Sequence, residues 1–291
     1  MTFNDDANIK GGRVSKRGRN AAIGVGGGGL GIVALFLVSQ LLGFDVTQFI
    51  DPSTLGGGGT TTEEESLDRC QTGEDANEDI DCRMQGAATA LDVFWGDTLQ
   101  GYTAPSMVIF EGATNTGCGS ATSAVGPFYC PPDQTVYIDT SFYDQLRTQF
   151  GASGGPLAQL YVVAHEWGHH VQNIAGIMDG LNLQQSGPSS DGVRLELQAD
   201  CFAGAWVAAA STTTDAGGEP FLETPTQTQI DDALNAAAAV GDDNIQESTT
   251  GQVHPETWTH GSSDSRQKWF MVGYSQGVNA CDTFGAAAGD L

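Results

Sequence analysis

Twenty-four consecutive residues without a charged side chain, Ala21 to Phe44, constrain the chain more than any other feature. The run exceeds the ~20 apolar residues a helix needs to cross a bilayer, and its glycines suit packing inside a membrane. Five of the eleven basic residues, Lys10, Arg13, Lys16, Arg17 and Arg19, precede it. That asymmetry predicts a cytoplasmic N-terminus and an external body. A cleaved signal peptide needs a shorter apolar core followed by a small-residue site, whereas this run leads into Phe44, Asp45 and Val46. The expectation is a single-pass cell-membrane protein. Residues 1–20 form a basic cytoplasmic tail, 21–44 a transmembrane anchor, 45–65 a flexible Gly/Thr/Glu linker, and 66–291 an extracytoplasmic domain.

With the cations gathered at the start, the rest of the chain is more acidic than the overall formal charge of -25 suggests. A body of that sign repels phosphate backbones, so nucleic acid is not an expected partner. All six cysteines, Cys70, Cys82, Cys118, Cys130, Cys201 and Cys281, lie in the body, and no CxxC pair suggests a thiolate metal site. Disulfides in an oxidising compartment are expected. A preference for short loops suggests Cys70 with Cys82 and Cys118 with Cys130, leaving Cys201 for Cys281, among the connectivities that six cysteines allow.

Apolar periodicity predicts a helix from Ile80 to Gln100, ending near Gly101 with Ala87, Leu91, Phe94 and Trp95 inward. Residues 106–139 read as short strands and turns, the one β-rich stretch. A short helix follows over Ser141–Phe150, with Phe142, Leu146 and Phe150 inward. The strongest helix, Pro156–Ile177, has proline near its start, where a missing amide hydrogen costs nothing. Further helices are expected at Asp191–Ala210 with Asp191 as N-cap, at Thr226–Val240 stopped by Gly241, and at Ser262–Tyr274 capped by Ser262 or Ser263. Residues 211–225 read as a loop and the last ten as frayed.

His165, Glu166, Trp167, Gly168 and His169 spell H-E-x-x-H inside that strongest helix. Residues four apart share a helix face, so both imidazoles can reach one ion while Glu166 projects beside them. Catalytic zinc takes a third protein ligand and keeps a position open. Extension of the motif to HxxGxxH fails, because Gln172 and Ala175 occupy the required positions. A second helix offers Glu196 as the third ligand and, one turn later, Asp200 to accept a hydrogen bond from a ligand imidazole. His260, His254, Tyr274 and Arg266 are candidate donors to a developing oxyanion, with His260 preferred. His170 points about 100° away from His169 and is read as supporting the site from behind or as packing.

The segments AHEWGHHVQ at 164–172, RLELQADCFAGAW at 194–206 and HPETWTHGSSDSRQKWF at 254–270, with TGCGSATSAVGPFYCPPDQTVYID at 116–139, resemble the putative neutral zinc metallopeptidase family of bacteria. The resemblance covers about residues 84–282. It implies a gluzincin-like centre with zinc on His165, His169 and Glu196, Glu166 as base and Asp200 in support. It also implies a small sheet whose edge pairs with an extended substrate. The expected fold is α+β: a mainly helical zincin-like domain with a small antiparallel sheet. The expected function is a membrane-anchored zinc endopeptidase acting on a polypeptide substrate. The alternatives are a zinc amidase acting on a non-protein amide, a non-catalytic protein with structural zinc and a fourth ligand from His254 or His260, and a latent enzyme whose cleft the linker or the 211–225 loop covers.

Overall fold

The computed structural model describes residues 2–18, 64–149 and 151–291. The expected anchor at 21–44, nearly all of the linker and Phe150 lie outside the described residues. Among the described residues no helix is long and apolar enough to cross a membrane.

The fold is α+β and mostly helical, with a mixed sheet. Strands β1 (Val14–Arg17) and β2 (Glu64–Ser66) precede helices α1 (Gly73–Glu78) and α2 (Ile80–Thr98). Strand β3 (Ser106–Phe110) is followed by a hairpin of β4 (Ala113–Thr116) and β5 (Gly119–Thr122), then β6 (Phe128–Cys130) and β7 (Thr135–Asp139). The helices α3 (Phe142–Gln149), α4 (Pro156–Ile174), α5 (Asp191–Ala209), α6 (Gln227–Ala239), α7 (Asp242–Thr250) and α8 (Ser263–Gln276) complete the body.

The five-stranded sheet runs β2-β1-β3-β7-β6. It is not antiparallel as expected: β3 runs parallel to both β1 and β7, and only the outer pairs are antiparallel. Parallel neighbours need a connection of a dozen or more residues, which residues 18–105 and 111–134 supply. The hairpin β4–β5 forms a separate two-stranded ribbon.

The segment expected to be a free basic tail instead belongs to the body. Phe3, Ala7 and Ile9 are buried in the main core, and β1 fills a central place in the sheet. Lys16 pairs with Asp81 at 2.8 Å, and the Arg17 guanidinium stands over the Tyr137 ring. The 211–225 loop serves the same arm: Phe221 and Leu222 are buried, and Asn4 N donates to Phe221 O at 3.0 Å. None of its residues lines the cleft described below. The C-terminal residues are not frayed either, since Arg194 donates to the carbonyls of Thr283 and Ala286 and Thr283 is fully buried.

Ser190, not Asp191, caps α5, its side chain accepting from Val193 N. Helix α6 starts in a Thr226/Gln229 capping box. Gly241 ends α6 and at once begins α7, which periodicity did not predict because its residues are mostly polar. The three disulfides are Cys70–Cys82, Cys118–Cys130 and Cys201–Cys281, which suits an extracytoplasmic domain.

Two close approaches position the helices that carry the chemistry. A Cβ on Gly204 of α5 would stand 1.9 Å from Phe270 O, and one on Gly273 of α8 would stand 1.8 Å from Cys201 O, so α5 and α8 meet backbone to backbone. A Cβ on Gly168 of α4 would lie 3.1 Å from Ala199 Cα. The glycine of the H-E-x-x-H sequence thus lets α5 approach the helix that holds the two histidines.

Candidate metal centre

Helix α4 carries His165 and His169 on one face, and α5 brings Glu196 against them. His165 Nε2 lies 3.1 Å from Glu196 Oε2, and His169 Nε2 lies 3.4 Å from Glu196 Oε1. The three side chains can present one ligand atom each, all within 4.8 Å of one another. Glu166, 8% exposed, lines the same cleft beside them.

The two imidazoles are fixed from behind. His165 Nδ1 lies 2.8 Å from Asp200 Oδ1, and His169 Nδ1 lies 2.8 Å from Gln172 Oε1. Each acceptor takes an Nδ1–H, which leaves Nε2 of both rings on the Glu196 side, where a proton shared with the carboxylate or a metal ion can sit between them. Two imidazoles that can give up the Nε2 proton to an ion, and a carboxylate, form a donor set that suits zinc. The residues present therefore fit the metal.

Asp200 is fully buried and multiply held. Arg266 Nε donates to Oδ2 at 2.8 Å, Arg266 Nη2 to Oδ1 at 3.0 Å, and the Tyr161 hydroxyl to Oδ1 at 2.5 Å. Burial alone would raise the Asp200 carboxyl, but Arg266 and His165 outweigh it and hold the carboxyl below its ordinary range. Glu196 is likewise opposed by burial and pulled down by His169 and His165. Both carboxylates are thus ionised, as a ligand and its support must be.

Arg266, considered as an oxyanion donor, borders the cleft but is only 3% exposed and committed to Asp200. His254 is exposed and lies 3.3 Å from Glu256, and Tyr274 stacks on Phe270; neither lines the cleft. His260 does line it. Its Nδ1 lies 3.4 Å from Asp242 Oδ1, while Oδ2 of the same carboxylate accepts the backbone N–H of Thr259, His260 and Gly261. Burial works against the imidazolium, but Asp242 and Glu196 raise its pKa. With its side chain 41% exposed, solvent weakens both influences.

His170 packs and does not face the metal residues. Its Nε2 lies 2.6 Å from Thr103 O and its Nδ1 3.0 Å from the Tyr129 hydroxyl, which also accepts from Asn173 Nδ2 at 2.9 Å. Through Tyr129, α4 holds strand β6, an edge of the sheet, alongside the metal residues. The cleft, about 400 Å³, has Val125, Phe128, Phe142, Val240 and Ile245 among its lining residues.

Tyr161, Gln172 and Asp242 escaped sequence reasoning. A signal existed for the first two: Tyr161 precedes His165 by four residues and Gln172 follows His169 by three, spacings that put each beside its histidine. Asp242 carried none, because its contacts lie across the loop at 259–261.

A model of the family described as putative neutral zinc metallopeptidase matches residues 3–284, a span that begins inside the N-terminal arm. The chain is 55% identical over 223 residues to an uncharacterised protein of Mycobacterium tuberculosis strain H37Rv, covering 76% of each chain. It is 39% identical over 270 residues to the uncharacterised protein YpfJ of Escherichia coli K12, covering 89% of this chain and 88% of that one. No solved structure matches the chain.

Proposed function

The chain belongs to the putative neutral zinc metallopeptidase family, and on that premise we propose that it is a zinc-dependent endopeptidase acting on polypeptides outside the cytoplasm. The observation that carries this reading is the convergence of His165, His169 and Glu196, with both imidazoles fixed from behind and Glu166 in the same cleft. Zinc held by those three residues supplies a Lewis acid that lowers the pKa of water and polarises a carbonyl.

The chain's own groups do the rest. Glu166 accepts a proton from the attacking water and returns it to the departing amine. His260, oriented by Asp242, donates to the oxyanion that forms on the scissile carbonyl. The edge of β6 offers backbone groups to an extended peptide, and the apolar walls receive its side chains. A structural zinc would need a fourth protein ligand, and among the described residues only three such groups gather.

The test is zinc content and cleavage of a mixed peptide library, with wild type and Glu166→Gln compared. Wild type is expected to bind about one zinc and cut, and the variant to bind zinc without cutting. If both bind zinc and wild type cuts no peptide, the peptidase reading fails, and assays on non-peptide amides then separate an amidase from a binding protein.

A further inference from the structure

The body is built around the N-terminal arm. Phe3 is 2% exposed and Ala7 and Ile9 are fully buried. The Asn77 side chain takes both backbone groups of Phe3, each at 2.9 Å. Gln85 Nε2 and Thr89 Oγ1 donate to Ile9 O at 3.2 and 3.0 Å, and Asp215 accepts the N–H of Asn8 at 2.8 Å. A Cβ on Gly73 would stand 1.9 Å from Asn4 O, and one on Gly86 would stand 2.7 Å from the Phe3 ring. Four polar side chains and two glycines of the body are therefore shaped to the arm, and without it the buried Gln85 loses an acceptor.

We propose that residues 2–18 and the body occupy one compartment as a single folded unit, with no membrane between them. The ladder makes this an exclusive choice. Arg17 is the antiparallel partner of Glu64, so the chain leaves the sheet and returns to it within about one strand spacing, ~5 Å. A helix over residues 21–44 would be ~36 Å long and one crossing would carry the chain past a hydrocarbon core of ~30 Å. Returning to Glu64 would then take a second crossing of about 20 apolar residues. Residues 45–63 contain no such run and include Asp45, Asp51 and Glu63, which hydrocarbon excludes. A seated arm and a cytoplasmic N-terminus joined to an external body by one crossing cannot coexist. The inference is independent of the metal centre.

The full chain carrying Lys10→Cys, on an exposed part of the arm, or Gln252→Cys, on an exposed part of the body, tests it. The native cysteines are all in disulfides, so a membrane-impermeant maleimide added to spheroplasts of expressing cells reports only the new thiol. Both variants are expected to label to the same extent before lysis. Labelling of both only after lysis would also keep arm and body together. Labelling of Gln252→Cys before lysis but Lys10→Cys only after it overturns the proposal. A Ser15→Cys/Ser66→Cys pair, opposed in the β1–β2 ladder, checks seating directly. It is expected to cross-link in the full-length membrane-associated protein, and two freely reactive thiols there would overturn the proposal as well.

Discussion

The side-chain oxygen of Gln172 accepts the Nδ1 proton of His169 at 2.8 Å, while its amide nitrogen donates to Leu195 O at 2.7 Å and to Gln198 Oε1 at 3.1 Å. One amide thus orients a metal-binding imidazole and anchors it to the neighbouring helix. Gln172→Ala removes the acceptor and is expected to weaken zinc affinity roughly 10- to 100-fold. Competition against a chromophoric chelator measures this; unchanged affinity in Gln172→Ala would remove the orienting role.

Arg266 and Asp200 form a buried pair beneath His165. Arg266→Met leaves a buried carboxylate without its cation, for a loss of about 3–5 kcal/mol. Denaturant unfolding should show that loss, and Asp200→Asn combined with Arg266→Met should cost less than the sum of the single changes. Strict additivity would mean that the two side chains do not act as a unit.

Asp242 predicts a pH signature. Burial raises its pKa, but His260 and the surrounding backbone amides lower it further, so the folded carboxyl lies below its ordinary value. A depressed folded pKa contributes stability that is present above the unfolded pKa, about 3.9, and is lost as pH falls through the folded value. The gap in melting temperature between wild type and Asp242→Asn should therefore be widest at pH 7 and shrink as the pH falls below about 3.9. A gap of constant width would show that the ionised form is not what stabilises the 259–261 loop.

Two glycine-to-alanine changes should separate folding from metal binding. In Gly204→Ala the new Cβ meets the Phe270 carbonyl, and forcing α5 from α8 is expected to cost at least the 1–3 kcal/mol typical of overpacking. Gly168→Ala meets Ala199 at 3.1 Å, a contact that a small shift of α5 relieves. Because Glu196 rides on that helix, zinc affinity should fall more than thermal stability does. Equal zinc affinity in Gly168→Ala and wild type would show that α5 can move without carrying Glu196 away.

The metal-binding pattern was legible because it is local. His165, Glu166 and His169 are set by the turn of one helix, and Glu196 and Asp200 by the turn of another, so spacing alone places each set on a face. The longer body helices followed from apolar periodicity, whereas the short polar α1 and α7 did not, and the short-loop preference agreed with the disulfides of the structure.

What the amino-acid sequence determined by itself was therefore the pattern within each helix and the chemistry it can hold. Tertiary structure alone decided the rest. Residues 14–16 pair with residues 107–109, a partnership that no local pattern encodes, and it converts a basic segment expected in the cytoplasm into a strand of the sheet. The roles of Arg266, Asp242 and Gln172 likewise depend on where separate elements meet. Helical periodicity depends on neighbours three and four residues apart, whereas strand partners and buried ion pairs are chosen by packing between segments far apart in the chain.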